Sequence, residues 1–197
     1  MTPPTQTPDQ LDPAGSVAAA LRSLRRGGVV AYPTEAVWGL GCDPFDEAAV
    51  RRLLALKQRS VDNGLILVAA EPAQLGGLVD WDALPAARRE AVLASWPGPH
   101  TWLLPATARV PRWITGSHDS VALRVSAHPV VSALCTGFGA PLVSTSANRS
   151  GAPPPHARDD LDPGLAGALD AIVDGDTGGL ERPTPIRDAR SGTAVRD

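Results

Sequence analysis

The sequence predicts an α/β protein built on one mixed sheet, and three observations carry that prediction. Apolar segments of strand length alternate with amphipathic segments of helical period along most of the chain. The run Leu65 to Ala70, LILVAA, is continuously apolar, which is the pattern of a strand buried on both faces. Some connections between strands are too short to hold a helical crossover, so the sheet must contain antiparallel neighbours as well as parallel ones.

Taken in order, Ser16 caps a helix through about Arg26, with Val17, Ala20, Leu21 and Leu24 on one face and Gly27-Gly28 as the stop. A strand over Gly28 to Tyr32 ends at Pro33 and delivers Thr34 and Glu35 to its exit, where α/β proteins place ligands. Gly39-Leu40-Gly41 reads as a loop leading to Asp43-Pro44. Asp46 caps a helix to about Lys57, whose Val50, Leu53, Leu54 and Leu56 make the buried stripe. Lys57 and Arg59 therefore fall at its C-terminal end, where the macrodipole favours cations.

After the strand at Leu65, Glu71-Pro72 opens a short helix and Pro85 to Ser95 forms another. Trp96-Pro97-Gly98-Pro99 enforces a rigid turn into a strand over His100 to Leu104. Ser120 to Ser126, SVALRVS, alternates and sets Arg124 within a strand. His128-Pro129 begins a helix to about Gly139, and the strand Pro141 to Thr145 runs at once into Ser146-Ala147-Asn148. Ile172-Val173, the turn Asp176-Thr177-Gly178-Gly179 and a short strand near Pro185 to Asp188 form a closing edge. Residues 1–15 read as a disordered tail and residues 16–197 as a single domain.

Composition narrows the function classes. A chain of 197 residues with 43% hydrophobic and 20% charged residues can bury one full core. No apolar run approaches the roughly 20 residues a membrane helix needs, and the N-terminus lacks the basic and apolar regions of a signal peptide, so a cytoplasmic location is expected. Cys42 and Cys135 lie far apart in apolar contexts and read as two buried thiols. Four scattered histidines, with no CxxC or HxxxH pair, give no metal site built from protein ligands. A net charge of −3 argues against a broad non-specific nucleic-acid binder while leaving room for a local basic groove.

Lys57 is the only lysine among eighteen basic residues that are otherwise arginine. A compact ammonium set among guanidinium groups marks a place where arginine would not serve, although a solvated helix-end charge has the same position. Three strand exits offer polar groups: Thr34 after the first, Arg124 within a middle strand, and Ser144, Thr145, Ser146 and Asn148 around another. Hydroxyls, a carboxamide and basic side chains suit a small zwitterion or a phosphate chain; singly, each hydroxyl is as well explained as a turn former. The GxxxxGK[ST], GxGxxG and GxSxG patterns are absent, so a nucleotide would use a less common site.

Together these segments resemble the YrdC-type family of threonylcarbamoyl-AMP synthases, in the short bacterial form also called TsaC. The similar stretches are AYPTEAVWGLGCDP (Ala31 to Pro44), LKQRSVDNGLIL (Leu56 to Leu67), WPGPHT (Trp96 to Thr101), LRVSAHP (Leu123 to Pro129), PLVSTSANRSG (Pro141 to Gly151) and DTGG (Asp176 to Gly179). They span about Val17 to Asp188 in the family's order. The resemblance implies an open, twisted sheet with a concave basic cavity. It also implies a nucleotidyltransferase that joins L-threonine, bicarbonate or CO2 and ATP into threonylcarbamoyl-adenylate and pyrophosphate. Downstream proteins would then transfer the threonylcarbamoyl group to the adenosine beside the anticodon of tRNA.

The family's KxR and SxN signatures fall on Lys57, Arg59, Ser146 and Asn148. The resemblance makes Lys57 and Arg59 catalytic, with threonine or bicarbonate held by Thr34, Lys57, Arg124 and Ser144. It assigns the nucleotide to Arg59, Ser146 and Asn148, and Mg2+ to the ATP phosphates. Ser60 stands where many relatives have proline, and the closing ERPTPIRD matches only loosely, so Arg187 receives no role. The second reading, from a different class, is a non-catalytic module that holds double-stranded RNA or tRNA through Arg51, Arg52 and Arg59.

Overall fold

Strand alternation sorts the apolar residues onto two faces of one sheet, and that sorting leaves part of one face uncovered. The structure, a computed structural model, describes residues 13–196. Nine strands carry the sheet: β1 (Val30–Pro33), β2 (Trp38–Gly41), β3 (Ile66–Ala69), β4 (Thr101–Pro105), β5 (Ser120–Val125), β6 (Leu142–Ser146), β7 (Ala171–Ile172), β8 (Ile186–Asp188) and β9 (Ala194–Arg196). Their order is β7-β1-β2-β6-β3-β5-β4-β8-β9. The pairs β1/β7, β3/β5 and β4/β8 run parallel and the other five antiparallel, so the sheet is mixed as the short connections require.

Helices α1 (Pro13–Leu24) and α5 (Pro129–Phe138) cover one end of one face, burying Ala20, Leu24, Val131 and Leu134 against Val30, Tyr32, Val68 and Leu142. The other face carries the larger core, where α2 (Glu47–Lys57) contributes Val50, Leu53 and Leu54 beside Ala31, Leu40, Leu67, Leu123 and Val143. Asp46 caps α2 as expected, its Oδ1 accepting from Ala49 N–H at 3.1 Å. The helix α3 (Ala86–Ala94) and the short helices α4 (Arg112–Thr115) and α6 (Pro163–Ala166) complete the layer.

Register decides what the uncovered part of the first face presents. Ile66 pairs with both Ala122 and Ser144, Leu103 pairs with Ala122, and Val68 pairs with Arg124. Residues 122, 124 and 144 thus point the same way as Val68 and Leu142, but beyond the reach of α1 and α5. That is the floor of a concavity.

Ile172-Val173 and Pro185 to Asp188 do not form one closing edge, since β7 pairs with β1 at one rim of the sheet and β8 with β4 near the other. Two further expectations differ from what is found. Gly39-Leu40-Gly41 is strand, not loop, because two glycines are what lets β2 sit between its neighbours. A Cβ on Gly41 would lie 2.6 Å from Val143 O and 2.7 Å from Tyr32 Cε1. Tyr32 fills that space, its hydroxyl donating to Val143 O at 3.0 Å. The second concerns Ser16, which lies inside α1 rather than capping it. Its hydroxyl donates to Pro13 O and accepts from Asp174 N–H, tying the helix to a distant loop. The disordered tail expected over 1–15 falls mostly outside the described residues, and Pro13 to Gly15 are already helical.

Gly41→Ala is expected to lower the unfolding free energy by about 1–3 kcal/mol, since the overlapping groups are backbone oxygen and a locked ring. Denaturant titration would show a lower midpoint at unchanged slope.

Candidate active site

The polar strand exits and one helix end converge on a cavity of about 370 Å3, a size usual for small-molecule sites. The helix end comes first. α2 stops at Lys57 because Gln58 takes a left-handed conformation (φ 53°, ψ 46°), its N–H closing on the carbonyls of Leu54 and Ala55. For a residue with a Cβ this costs about 1 kcal/mol. The turn sends the flanking side chains in different directions.

Lys57 is 3% exposed, and its ammonium donates to the backbone carbonyls of Ser146 and, at 2.7 Å, Asn148. In return, Ser150 N–H donates to Lys57 O at 2.8 Å. Arg59 instead lines the cavity, its Nη2 donating to Gly64 O at 3.2 Å. Lys57 thus stands behind the wall that Arg59 faces, bracing the loop after β6. A point charge with three donors fits between converging carbonyls; a planar guanidinium fork would not, which accounts for the single lysine.

The opposite wall is organised around Arg124, 5% exposed on β5. Its Nη1 donates to Thr184 Oγ1 at 2.7 Å, and its Nη2 lies 3.5 Å from Glu35 Oε2. The other oxygen of Glu35 accepts from Ser126 Oγ at 2.6 Å. β1 and β5 are separated by three strands, so this contact shows how far the sheet coils over its concave face. Thr34 also lines the cavity, with its Oγ1 proton committed to Val37 O at 2.7 Å, which leaves lone pairs to offer.

Ser144, Ser146 and Asn148 complete the wall along β6 and its exit. Asn148 donates through Nδ2 to the carbonyls of Arg149 and Ala152, while its Oδ1 is buried with no hydrogen-bond partner among the described residues. Arg124 Nε is in the same condition. Both atoms are sealed off from the cavity space, so the groups that can meet a ligand there are the other polar atoms of its lining.

The ionisable side chains lining the cavity are Arg59, Arg124 and His118, with no carboxylate among them. No group of three or more His, Cys, Asp or Glu among the described residues could hold a metal ion. Cys42 and Cys135 are both free and buried.

The predicted residues Thr34, Arg59, Arg124, Ser144, Ser146 and Asn148 therefore share one cavity; Lys57, expected to act on substrate there, is not among its lining residues and braces it from behind, its ammonium committed to two carbonyls. Arg187, left without a role, is exposed on β8. Sequence reading missed Thr184, which lies in the loosely matching ERPTPIRD. It noted Glu35 only as a polar residue at a strand exit.

Burial pushes the Lys57 ammonium down to about 8 from an ordinary 10.5, with the Arg59 guanidinium adding to the shift. Between those values the unfolded chain holds more protons than the folded one, so this group's contribution to stability rises with pH. Below pH 8 both states are charged and the full burial cost remains. Cys42, Cys135 and Tyr32, all pushed up by burial, act oppositely at alkaline pH and cancel in a comparison with Lys57→Met. Wild-type stability relative to that variant is expected to rise by on the order of 3 kcal/mol between pH 8 and 10.5. A flat difference would mean a solvated ammonium.

The Sua5/YciO/YrdC family model, described as "Telomere recombination", matches residues 22–196. A threonylcarbamoyl-AMP synthase of Xanthomonas euvesicatoria pv. vesicatoria is 63% identical over 178 residues, covering 90% of this chain and 95% of the relative. The one from Xanthomonas axonopodis pv. citri is 60% identical over 189 residues, 96% of this chain and 99% of the relative. Among solved structures, P. abyssi Sua5 complexed with L-threonine superposes with a TM-score of 0.80 at 34% identity over 91% of this chain. This chain spans about half of that longer protein, 52%. E. coli YciO shares the fold with a TM-score of 0.76, at 24% identity, over 92% of this chain and 90% of its own. With the KxR and SxN segments meeting at one cavity and such relatives matching nearly end to end, the chain belongs to the Sua5/YciO/YrdC family, among its short threonylcarbamoyl-AMP synthases.

Proposed function

We propose that this protein makes L-threonylcarbamoyl-adenylate and pyrophosphate from L-threonine, bicarbonate or CO2, and ATP, for threonylcarbamoyladenosine in tRNA. The observation that carries the reading is the 60–63% identity, over 90% or more of the chain, to proteins named threonylcarbamoyl-AMP synthase. The cavity's residue types agree with it.

In this reading the Arg124 guanidinium holds the threonine carboxylate, while Thr34 and Ser144 engage the amine or hydroxyl. Two guanidinium groups in the wall disfavour a protonated amine, so the nucleophile is held neutral. The amine nitrogen bonds to the carbon of bicarbonate, whose hydroxyl leaves as water with the amine's proton; with CO2 the proton passes to solvent. A carbamate oxygen then bonds to the α-phosphorus of ATP as the bond to pyrophosphate breaks and its electron pair leaves with pyrophosphate. Arg59 lies against the phosphate oxygens, and Ser146 and Asn148, both lining the cavity, hold the nucleotide. Lys57 keeps that loop in register from behind. Mg2+ would come with the triphosphate, whose oxygens would hold it and whose charge it would offset.

No helix among the described residues is long and apolar enough to cross a membrane, and we place the reaction in the cytoplasm, feeding downstream threonylcarbamoyl-transfer proteins. The RNA-module reading gains nothing from a cavity of small-molecule size.

Purified protein is expected to release pyrophosphate from ATP only when threonine and bicarbonate are both supplied. ATP consumption independent of threonine would overturn the reading. Arg124→Ala should raise the threonine KM by about 100-fold through loss of a charge-assisted pair. Lys57→Arg should cut turnover at least about tenfold without unfolding the chain, because the larger group displaces the Ser146–Asn148 loop.

A further inference from the structure

Arg124 is gripped from two sides by residues of one composite unit. The turn Thr34 to Val37 and the segment 173–185 are stitched together: Gly178 N–H donates to Thr34 O at 2.9 Å and Leu180 N–H to Glu35 O at 3.0 Å. The fit is close, since a Cβ on Gly178 would lie 3.0 Å from Glu35 O. From this unit Glu35 meets one end of the guanidinium and Thr184 the other, all three residues being buried. Thr184 is held in turn by Thr101, with 3.4 Å between their hydroxyl oxygens, and Glu35 by Ser126. The grip leaves Arg124 Nε buried and without a partner. A side chain fixed so firmly and lining the cavity presents its guanidinium to whatever fills that space.

We propose that Thr184 and Glu35 are positioning residues that aim Arg124 at the amino-acid substrate, and so set threonine affinity independently of the nucleotide. The proposal rests on the reading of Arg124 as the carboxylate clamp. Thr184 lines the cavity, so its hydroxyl both orients the guanidinium and limits the space beside it. Glu35 does not line the cavity, and its charge, 3.5 Å from Nη2, holds that end of the guanidinium in place. The grip acts on how well the carboxylate is met and not on the reacting atoms, so its loss appears in KM and not in kcat.

Pyrophosphate release would be followed against threonine and ATP for wild type, Thr184→Val, Thr184→Ser and Glu35→Gln, with thermal midpoints as a check on folding. Thr184→Val is expected to raise the threonine KM about tenfold or more, the loss that removal of a hydrogen bond to a charged group brings. Its ATP KM and its kcat at saturating threonine should stay within about twofold of wild type. Thr184→Ser should recover threonine affinity to within about threefold, and Glu35→Gln should raise the threonine KM about fivefold or more. An unchanged threonine KM in Thr184→Val or Glu35→Gln overturns the proposal. So does a parallel rise in the ATP KM, or a Thr184→Ser as weak as Thr184→Val, which would mark simple packing. Absence of threonine-dependent turnover in the wild type would instead remove the functional reading beneath it.

Discussion

The buried ammonium of Lys57 is the contact on which the site's architecture depends. It joins the end of α2 to the loop after β6 by donating to the Ser146 and Asn148 carbonyls, so two segments about ninety residues apart keep a fixed relation. Arg59 projects into the cavity because Gln58 turns the chain just where Lys57 is anchored. Removing the charge would strand two carbonyls in a poorly hydrated place and free the strand exit that presents Ser146 and Asn148. A charge buried for this purpose is a cost to stability held in exchange for geometry.

The second constraint is the division of one sheet face. α1 and α5 cover only the end bearing Tyr32, Val68 and Leu142; β3 and β6 continue past them with Ile66 and Ser144, and the neighbouring β5 adds Ala122 and Arg124. Strand periodicity thus sets core and cavity side by side on one surface. The coil of the sheet then folds the β1–β2 turn over that surface, bringing Glu35 to Arg124 across three intervening strands.

Much of this was legible in the sequence because the signals were local. The cap at Asp46, the apolar run at Leu65 and the alternation around Arg124 each reflect the immediate neighbourhood of a few residues. Where the determining partner was distant, the reading failed. Gly39 and Gly41 look like a loop until Tyr32 and the Val143 carbonyl claim the space beside Gly41. Ser16 looks like a cap until Asp174 engages it. The gathering of Thr34, Arg59, Arg124, Ser144, Ser146 and Asn148 was anticipated through family resemblance, since spacing alone cannot tell which strand exits meet. Lys57 was anticipated as special, but its direction depends on carbonyls that no sequence pattern reveals. Thr184 left no local signature, because its partner Arg124 lies 60 residues away.

Segment 173–185 connects β7 on one rim of the sheet to β8 near the other, a passage of seven strand spacings. The segment is pinned on the way, Gly178 and Leu180 N–H donating to the carbonyls of Thr34 and Glu35. Thr184 stands two residues before β8 and bonds to Arg124, so fraying of the outer β8–β9 ribbon reaches the cavity through it. Ligand occupancy and cohesion of that remote edge are therefore one thermodynamic linkage: whatever fills the cavity also slows solvent exchange of the β8 and β9 amides.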